Sequence, residues 1–321
     1  MRVFVTGGSG FVGGAAIRAL RRAGQDVVAM SRRFETDAWL EGRGAEVVRC
    51  DLDNLEATQI NRCEAFVHCA AFVQAWGPPG IWEKVNVVGT QRALTAAREA
   101  GVRRFIHISS EAATIDDQDV LDGDERAPLA FQSRFPYCRS KAFAERAVRA
   151  ANAPEENFET IVLRPRFVWG DGDQTILPTL IQMVDAKRFA WIDGGQARTS
   201  TTHVDNLAGA ILLALEKGAA GEAYYILDAE QSTMRDMLTA MAATRGVELP
   251  SNSIPGWLAN AVAAGYEMVW RAFGVRTAPP LTKHAVMVMR RHCTLRGDRA
   301  AADLGYSPSV SRAEGLAGML F

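Results

Sequence analysis

An excess of charge of either sign is missing from this 321-residue chain, in which 36 Lys and Arg face 37 Asp and Glu for a formal net charge of −1. Without a basic field, nucleic acid is not an expected partner. Cysteine is scarce. Cys50, Cys63, Cys69, Cys138 and Cys293 are odd in number and never in CxxC spacing. That argues against a disulfide framework and against a zinc site, so no metal is assigned and a reduced, cytoplasmic setting is expected. An apolar run fit to span a membrane is absent too. The nearest, residues 254–275, opens on Ile254-Pro255-Gly256 and carries Glu267 and Arg271, all costly in a bilayer. The chain starts on Arg2-Val-Phe-Val-Thr6, without the charged-then-apolar pattern of an export signal. Internal repeats and low-complexity linkers are missing as well, which predicts halves packed together rather than tethered.

What is present is alternation. Short apolar runs at 2–6, 26–31, 45–50, 64–69, 104–109 and 159–165 are separated by helical patterns at 11–23, around Ala38, at 82–100 and at 137–151. Such βα units predict an α/β fold, a doubly wound parallel sheet of the Rossmann type covered by helices on both faces. After Pro165 the pattern loosens into helices of 10 to 20 residues parted by Gly170-Asp-Gly-Asp173, Gly194-Gly195 and Pro279-Pro280. The expected division is a dinucleotide-binding domain at 1–165 and a smaller, mostly helical substrate region at 166–321, partly interleaved with it.

Between the first strand and first helix stands TGGSGFVG, residues 6–13. Gly7, Gly10 and Gly13 there permit a tight turn, the approach of a pyrophosphate and close helix-on-strand packing, while the helix N-terminus offers amide donors. At the end of the second strand an acidic side chain would accept from the ribose hydroxyls of NAD, whereas a basic one pairs with the 2′-phosphate of NADP. The chain reads Ser31-Arg32-Arg33, with no carboxylate until Glu35. NADP(H) is therefore favoured and NAD(H) stays open, since both arginines also suit a solvated corner. Asp51-Leu52 follows the third strand, where Asp51 either accepts from the adenine amino group or caps a helix starting near Asn54.

Tyr137-Cys-Arg-Ser-Lys141 places a phenol and an ammonium four residues apart on one helix face. The ammonium is expected to lower the tyrosine's proton affinity, making an acid/base of a group that ordinarily titrates near pH 10.

The chain resembles the extended short-chain dehydrogenase/reductase superfamily, the NAD-dependent epimerase/dehydratases. The residues that carry the likeness are 6–13, Asp51-Leu52, His68-Cys-Ala-Ala71, Asn86-Val-Val-Gly-Thr90, Ile108-Ser-Ser110, Tyr137 through Lys141 and Arg164-Pro165. The resemblance implies Tyr137 as acid/base, Lys141 as the group that tunes it and holds the nicotinamide ribose, and Ser110 as the hydroxyl that binds the substrate oxygen. It implies cofactor contacts at Gly7, Gly10, Phe11, Val12, Gly13, Ser31, Arg32, Arg33, Asp51, Leu52, Cys69, Ala70, Ala71, Asn86, Ile108, Tyr137, Lys141 and Pro165. The second half is similar to the 3β-hydroxysteroid dehydrogenase-like branch in Leu163 to Asp173, Thr202 to Asn206, Gly221 to Ile226, Pro279 to Thr282 and Leu304 to Pro308. That implies hydride transfer to or from a secondary alcohol or ketone on a bulky, largely apolar molecule, such as a steroid, sterol or alkylated keto acid.

The chain also departs from the pattern. Sugar-nucleotide dehydratases of similar architecture place two carboxylates after the hydroxyl residue, and here Glu111 is followed by Ala112. Elimination is therefore disfavoured. The alternatives are a sugar-nucleotide epimerase that recycles its hydride, and a cofactor-sensing protein without turnover. His68 and His203 read as structural. Cys69 and Cys138 would flank the cleft, with Lys141 lowering the Cys138 pKa slightly. Trp257, Leu258, Val262, Tyr266, Met268, Val269 and Trp270 are too dense for one buried stripe, and read as pocket wall, as peripheral membrane contact, or as core plus dimer contact. The resemblance further implies a homodimer through the helices at 82–100 and 137–151.

Overall fold

The computed structural model describes residues 1–320. Seven strands form its central sheet: β1 (Arg2–Thr6), β2 (Asp26–Ser31), β3 (Ala45–Arg49), β4 (Ala65–His68), β5 (Arg104–Ile108), β6 (Glu159–Pro165) and β7 (Ala223–Ile226). They lie in the order β7-β6-β5-β4-β1-β2-β3, every neighbouring pair parallel. The strands are continuous apolar runs because both faces are covered. On one face Val3, Val5, Ile106 and Leu163 pack against Ile17 and Leu20 of helix α1 (Phe11–Arg22) and Leu207 and Ile211 of α4 (Val204–Glu216). On the other, Phe4, Phe66, Phe105 and Val162 meet Ala93, Leu94 and Ala97 of α2 (Gly89–Glu99) and Val148 of α3 (Pro136–Ala150).

The chain leaves β1 toward β2 and β3, then crosses back to lay β4 on the other side of β1. This reversal opens a crevice at the carboxyl ends of the strands, where ligands of doubly wound sheets bind. Thr6, Ser31, His68, Ile108 and Pro165 end their strands at that edge.

Six of these strands match the apolar runs of the sequence within a residue at each end. The seventh, Ala223-Tyr-Tyr-Ile226, comes from the second half, so residues beyond 166 complete the sheet. Helices Ile176–Asp185, Met234–Ala243, α5 (Gly256–Ala272), α6 (Lys283–Arg290) and Arg312–Gly318 join α4 in that half, parted by long irregular segments. Its own core contains Trp169, Leu177, Trp191, Met237 and Met241. Short strands join in as well, and Cys293–Leu295 pairs with Val120–Gly123 to stitch the second half onto the first.

Two local expectations need correction. The helix expected over 82–100 is not uniform, because residues Glu83–Val88 form a wide π turn before α2 begins at Gly89. Such turns are associated with functional sites, and this one carries Asn86. Asp51 does not cap a helix at Asn54. Its Oδ1 accepts from the backbone nitrogens of Asp53 and Asn54 at 2.7 and 3.1 Å, closing a turn, and the next helical segment starts at Ala57.

Candidate active site

The glycine turn is built for close approach. A Cβ on Gly7, whose φ is +68°, would lie 2.8 Å from the Ala70 nitrogen, and one on Gly13 only 2.1 Å from the Gly7 oxygen. Side chains at either position would push β1, α1 and the end of β4 apart. Gly10 remains exposed, and α1 begins there without a side-chain cap and without an acid in its first turn. Phe11 and Val12, half-buried in that turn, leave uncapped amides at the positive end of the helix. These features fit a dinucleotide pyrophosphate. The Thr6 hydroxyl receives the Ala70 amide at 3.2 Å, fixing Cys69, Ala70 and Ala71 beside the turn.

At the end of β2, Arg32 and Arg33 are exposed, and among the described residues their guanidinium groups have no ion-pair or hydrogen-bond partner. Ser31 is buried instead, with its Oγ 2.6 Å from Asp37 Oδ1 and 3.0 Å from Thr36 Oγ1. The nearest carboxylate in space is thus Asp37 rather than Glu35. It is already paired with Arg49, whose guanidinium also lies 4.0 Å above the Phe34 ring. Arg49, at the end of β3, is a third cation at this corner that the sequence reading passed over; only the pairing of β2 with β3 brings it here.

Asn86 does not present its amide to the cleft. Its Oδ1 accepts from Phe72 N at 2.7 Å, and its Nδ2 donates to Phe72 O at 3.1 Å and Ser140 Oγ at 2.9 Å. It clamps the segment after β4 to α3. Leu52 packs against Gly89, where a Cβ would come within 2.8 Å of it.

The chemical groups meet where β5 ends and α3 begins. Tyr137 and Lys141 lie one turn apart on α3, and Lys141 Nζ donates to the Ile108 carbonyl at 2.8 Å. Burial pushes the Lys141 ammonium down to about 8, while Glu145, Cys69 and Glu111 act the other way. Tyr137 departs from expectation. Burial first, and the charge of Glu111 second, hold its phenol above the ordinary value, against a hydrogen bond with Ser110 that lowers it. The physical reason is that Lys141 spends its ammonium on a backbone carbonyl while the phenol sits away from water.

Ser110 Oγ donates to Glu111 Oε2 at 2.5 Å and receives the Ala112 amide at 3.2 Å. Glu111 Oε1 in turn accepts from Arg166 Nη1 at 2.7 Å, a nearly buried ion pair held by Arg166 Nε donating to Thr199 Oγ1. Glu111 and Arg166 were legible only as a family departure and a residue after Arg-Pro; their pairing needs the chain to return through residues 199–202.

The family described as NAD dependent epimerase/dehydratase matches residues 3–226. The chain belongs to that family. It is 37% identical over 318 residues to a 4-hydroxy-2-methyl-3-oxo-4-farnesyl-3,4-dihydroquinoline-1-oxide ketoreductase of Stigmatella aurantiaca, covering 98% of this chain and 95% of that one. It is 32% identical over 325 residues to a 2-alkyl-3-oxoalkanoate reductase of Stenotrophomonas maltophilia, covering 98% and 97%. Among solved structures it resembles that of gox2253, with TM-score 0.79, 28% identity and coverage of 99% and 96%. The chain is accordingly an NAD(P)-dependent oxidoreductase of the extended short-chain dehydrogenase/reductase type.

His68, His203 and Cys138 are held by packing and hydrogen bonds within the fold. His68 is wholly buried between Thr6 Oγ1 at 2.8 Å and Thr90 Oγ1 at 3.0 Å, and burial pushes it down to about 3. His203 Nδ1 accepts from the Asp205 amide at the start of α4. Cys138 is buried and pushed up to about 12 by desolvation, opposite to the slight lowering expected from Lys141. No cluster of metal-ligating side chains occurs among the described residues.

The buried residues of helix α5 are the small Gly256, Ala259 and Ala263, and Glu267 Oε1 accepts from Lys283 N at 2.8 Å. Trp257 is 68% exposed and Met268 70%, which excludes an ordinary core role for them. No helix among the described residues is long and apolar enough to cross a membrane.

Proposed function

We propose that this enzyme interconverts a ketone and a secondary alcohol on a bulky, largely apolar substrate, with NADP(H) as the preferred cofactor. The observation that carries the reading is the convergence of Ser110, Tyr137 and Lys141 at the carboxyl edge of the sheet, beside the Gly7–Gly13 cradle. The nicotinamide, when bound, supplies or receives the hydride. Tyr137 gives its proton to the ketone oxygen, or takes it back from the alcohol. Ser110 has one proton to donate, now directed at Glu111, so a substrate oxygen must draw that hydroxyl away from the carboxylate. Arg166 holds Glu111 in place during the exchange. The family likeness supports Lys141 as the group that would hold a ribose hydroxyl, and as an ammonium it favours phenolate once that group has lost its proton.

The cofactor preference rests on the unpaired guanidinium groups of Arg32 and Arg33, and on Arg49, which pairs with Asp37, the carboxylate bonded to Ser31. Substrate class is carried by the relatives. The first is named for a substrate with a 4-hydroxyl beside its 3-oxo group and a farnesyl chain, the second for a carboxylate and an alkyl group flanking a 3-oxo group. Both names describe a ketone with a second oxygen function close by.

Outward-facing apolar residues of α5, followed by exposed Arg271 and Arg276, suit contact with an anionic lipid surface from which such substrates are drawn. The family likeness supports a homodimer through α2 and α3, and sedimentation velocity tests it.

Nicotinamide absorbance on mixing the protein with NADPH or NADH and a panel of alkylated β-keto acids, steroid ketones and sugar nucleotides tests the reading. Oxidation of NADPH by an apolar ketone is expected. A sugar nucleotide isomerised without net change in absorbance would replace it with the epimerase reading.

A further inference from the structure

One imidazole beside the reacting tyrosine has no task in the chemistry above. His284 stands in the first turn of α6, which is capped by Thr282 Oγ1 accepting from the Ala285 amide at 3.1 Å. Its ring is set nearly perpendicular to the rings of Tyr137 and Phe135, with centroids 5.8 and 5.5 Å away. Met287, almost a turn further on, packs with Ala112, Phe135 and Cys138. Helix α6 therefore lays a wall against the catalytic tyrosine that is apolar except at His284.

This ring is half-buried, and among the described residues its nitrogens make no hydrogen bond. Neither of its nitrogens is among the buried, unpartnered polar atoms of the described residues, so the ring keeps a polar edge open beside the tyrosine. The titratable groups around it cannot serve. Tyr137 meets it ring against ring, Glu111 is shared between Ser110 and Arg166, the Cys138 thiol is buried, and Lys283 lies on the same helix. Burial lowers the pKa of His284 and the Glu111 charge opposes this, so near neutrality one ring nitrogen donates and the other accepts.

We propose that His284 is a substrate-positioning residue that hydrogen-bonds a second oxygen of the substrate, carried on or beside the carbon next to the reacting one. The inference rests on the reductase reading and narrows it: the substrate is a β-keto acid, an α-hydroxy ketone or the corresponding alcohol, rather than an isolated ketone. With Tyr137 and Ser110 on the reacting oxygen and His284 on the neighbouring one, the substrate is held at two points, which also selects the face that meets the nicotinamide.

A matched pair of probes tests this: 3-oxodecanoate, and nonan-2-one, the methyl ketone left when its carboxylate is lost. His284→Phe keeps a ring of similar size against Tyr137 but has no hydrogen-bonding atom. It is expected to lose about ten- to hundredfold in kcat/KM on the keto acid, chiefly through KM, because one hydrogen bond to a charged group is removed. Turnover of the methyl ketone and affinity for NADPH stay as in the wild type, and His284→Gln restores most of the loss. Equal losses on both probes, or none on either, overturn the inference. Wild-type turnover of the methyl ketone alone overturns it while leaving the reductase reading intact; wild-type turnover of neither overturns it, and the reductase reading falls too when no apolar ketone of the wider panel oxidises NADPH.

Discussion

Arg164 and Glu145 form a two-pronged ion pair with 1% and 0% of their side chains exposed. Arg164 Nε donates to Glu145 Oε2 at 3.0 Å, and Ser109 Oγ donates to the same oxygen at 2.9 Å. The pair ties α3 to the ends of β5 and β6, and so fixes the helix that carries Tyr137 and Lys141. Removing one partner leaves a buried charge alone. Arg164→Met is expected to cost about 3–5 kcal/mol in urea unfolding, with Arg164→Met/Glu145→Leu costing less than the single change. A double variant less stable than Arg164→Met would contradict the buried-charge argument.

Tyr137→Phe keeps the ring and its contact with His284 but removes the proton. NADPH binding should be unchanged while kcat falls by about 10² to 10⁴, the usual contribution of a positioned acid/base. Stopped-flow absorbance measures the rate and fluorescence titration the binding. A near-normal rate would remove Tyr137 from the mechanism.

Arg32→Ala/Arg33→Ala removes two unpartnered guanidinium groups from the corner after β2. The KM for NADPH is expected to rise tenfold or more, as loss of a charge-assisted hydrogen bond implies, while that for NADH stays level. Parallel changes for both cofactors would show that these arginines belong to the solvated surface.

Two histidines make stability depend on acid. His68 and His107 stack at 5.4 Å on adjacent strands, and burial lowers the pKa of both, His68 to about 3. In the unfolded chain each titrates near 6.5, so below that value the unfolded state binds more protons than the folded one. Stability is complete above pH 6.5 and falls as pH drops from there toward 3. Neither ring nitrogen of His107 has a hydrogen-bond partner among the described residues. His107→Phe should therefore flatten the decline without loss of stability at pH 7, as read from urea midpoints across that range; an unchanged slope would contradict the assignment.

Much of the cofactor end was legible in the sequence because it depends on contacts between near neighbours. A glycine is required wherever a Cβ would strike backbone, and Gly7 and Gly13 can be picked out by their place between an apolar run and a helix. The YxxxK spacing fixes Tyr137 and Lys141 on one helical face for the same local reason. Proton affinities were less legible. The lowering expected for Tyr137 assumed that four-residue spacing brings the ammonium to bear, whereas burial and Glu111 decide the matter.

The sequence by itself determined the alternation of apolar strands and helices, hence the parallel sheet, and the glycine turn at its edge, because both follow from periodicity and backbone sterics. Tertiary structure alone decided which distant groups share the cleft. Arg49 reaches Ser31 through strand pairing, Arg166 reaches Glu111 through the return at 199–202, and His284 reaches Tyr137 because α6 folds back over α3. Such meetings depend on how separate elements pack, and no local spacing encodes them.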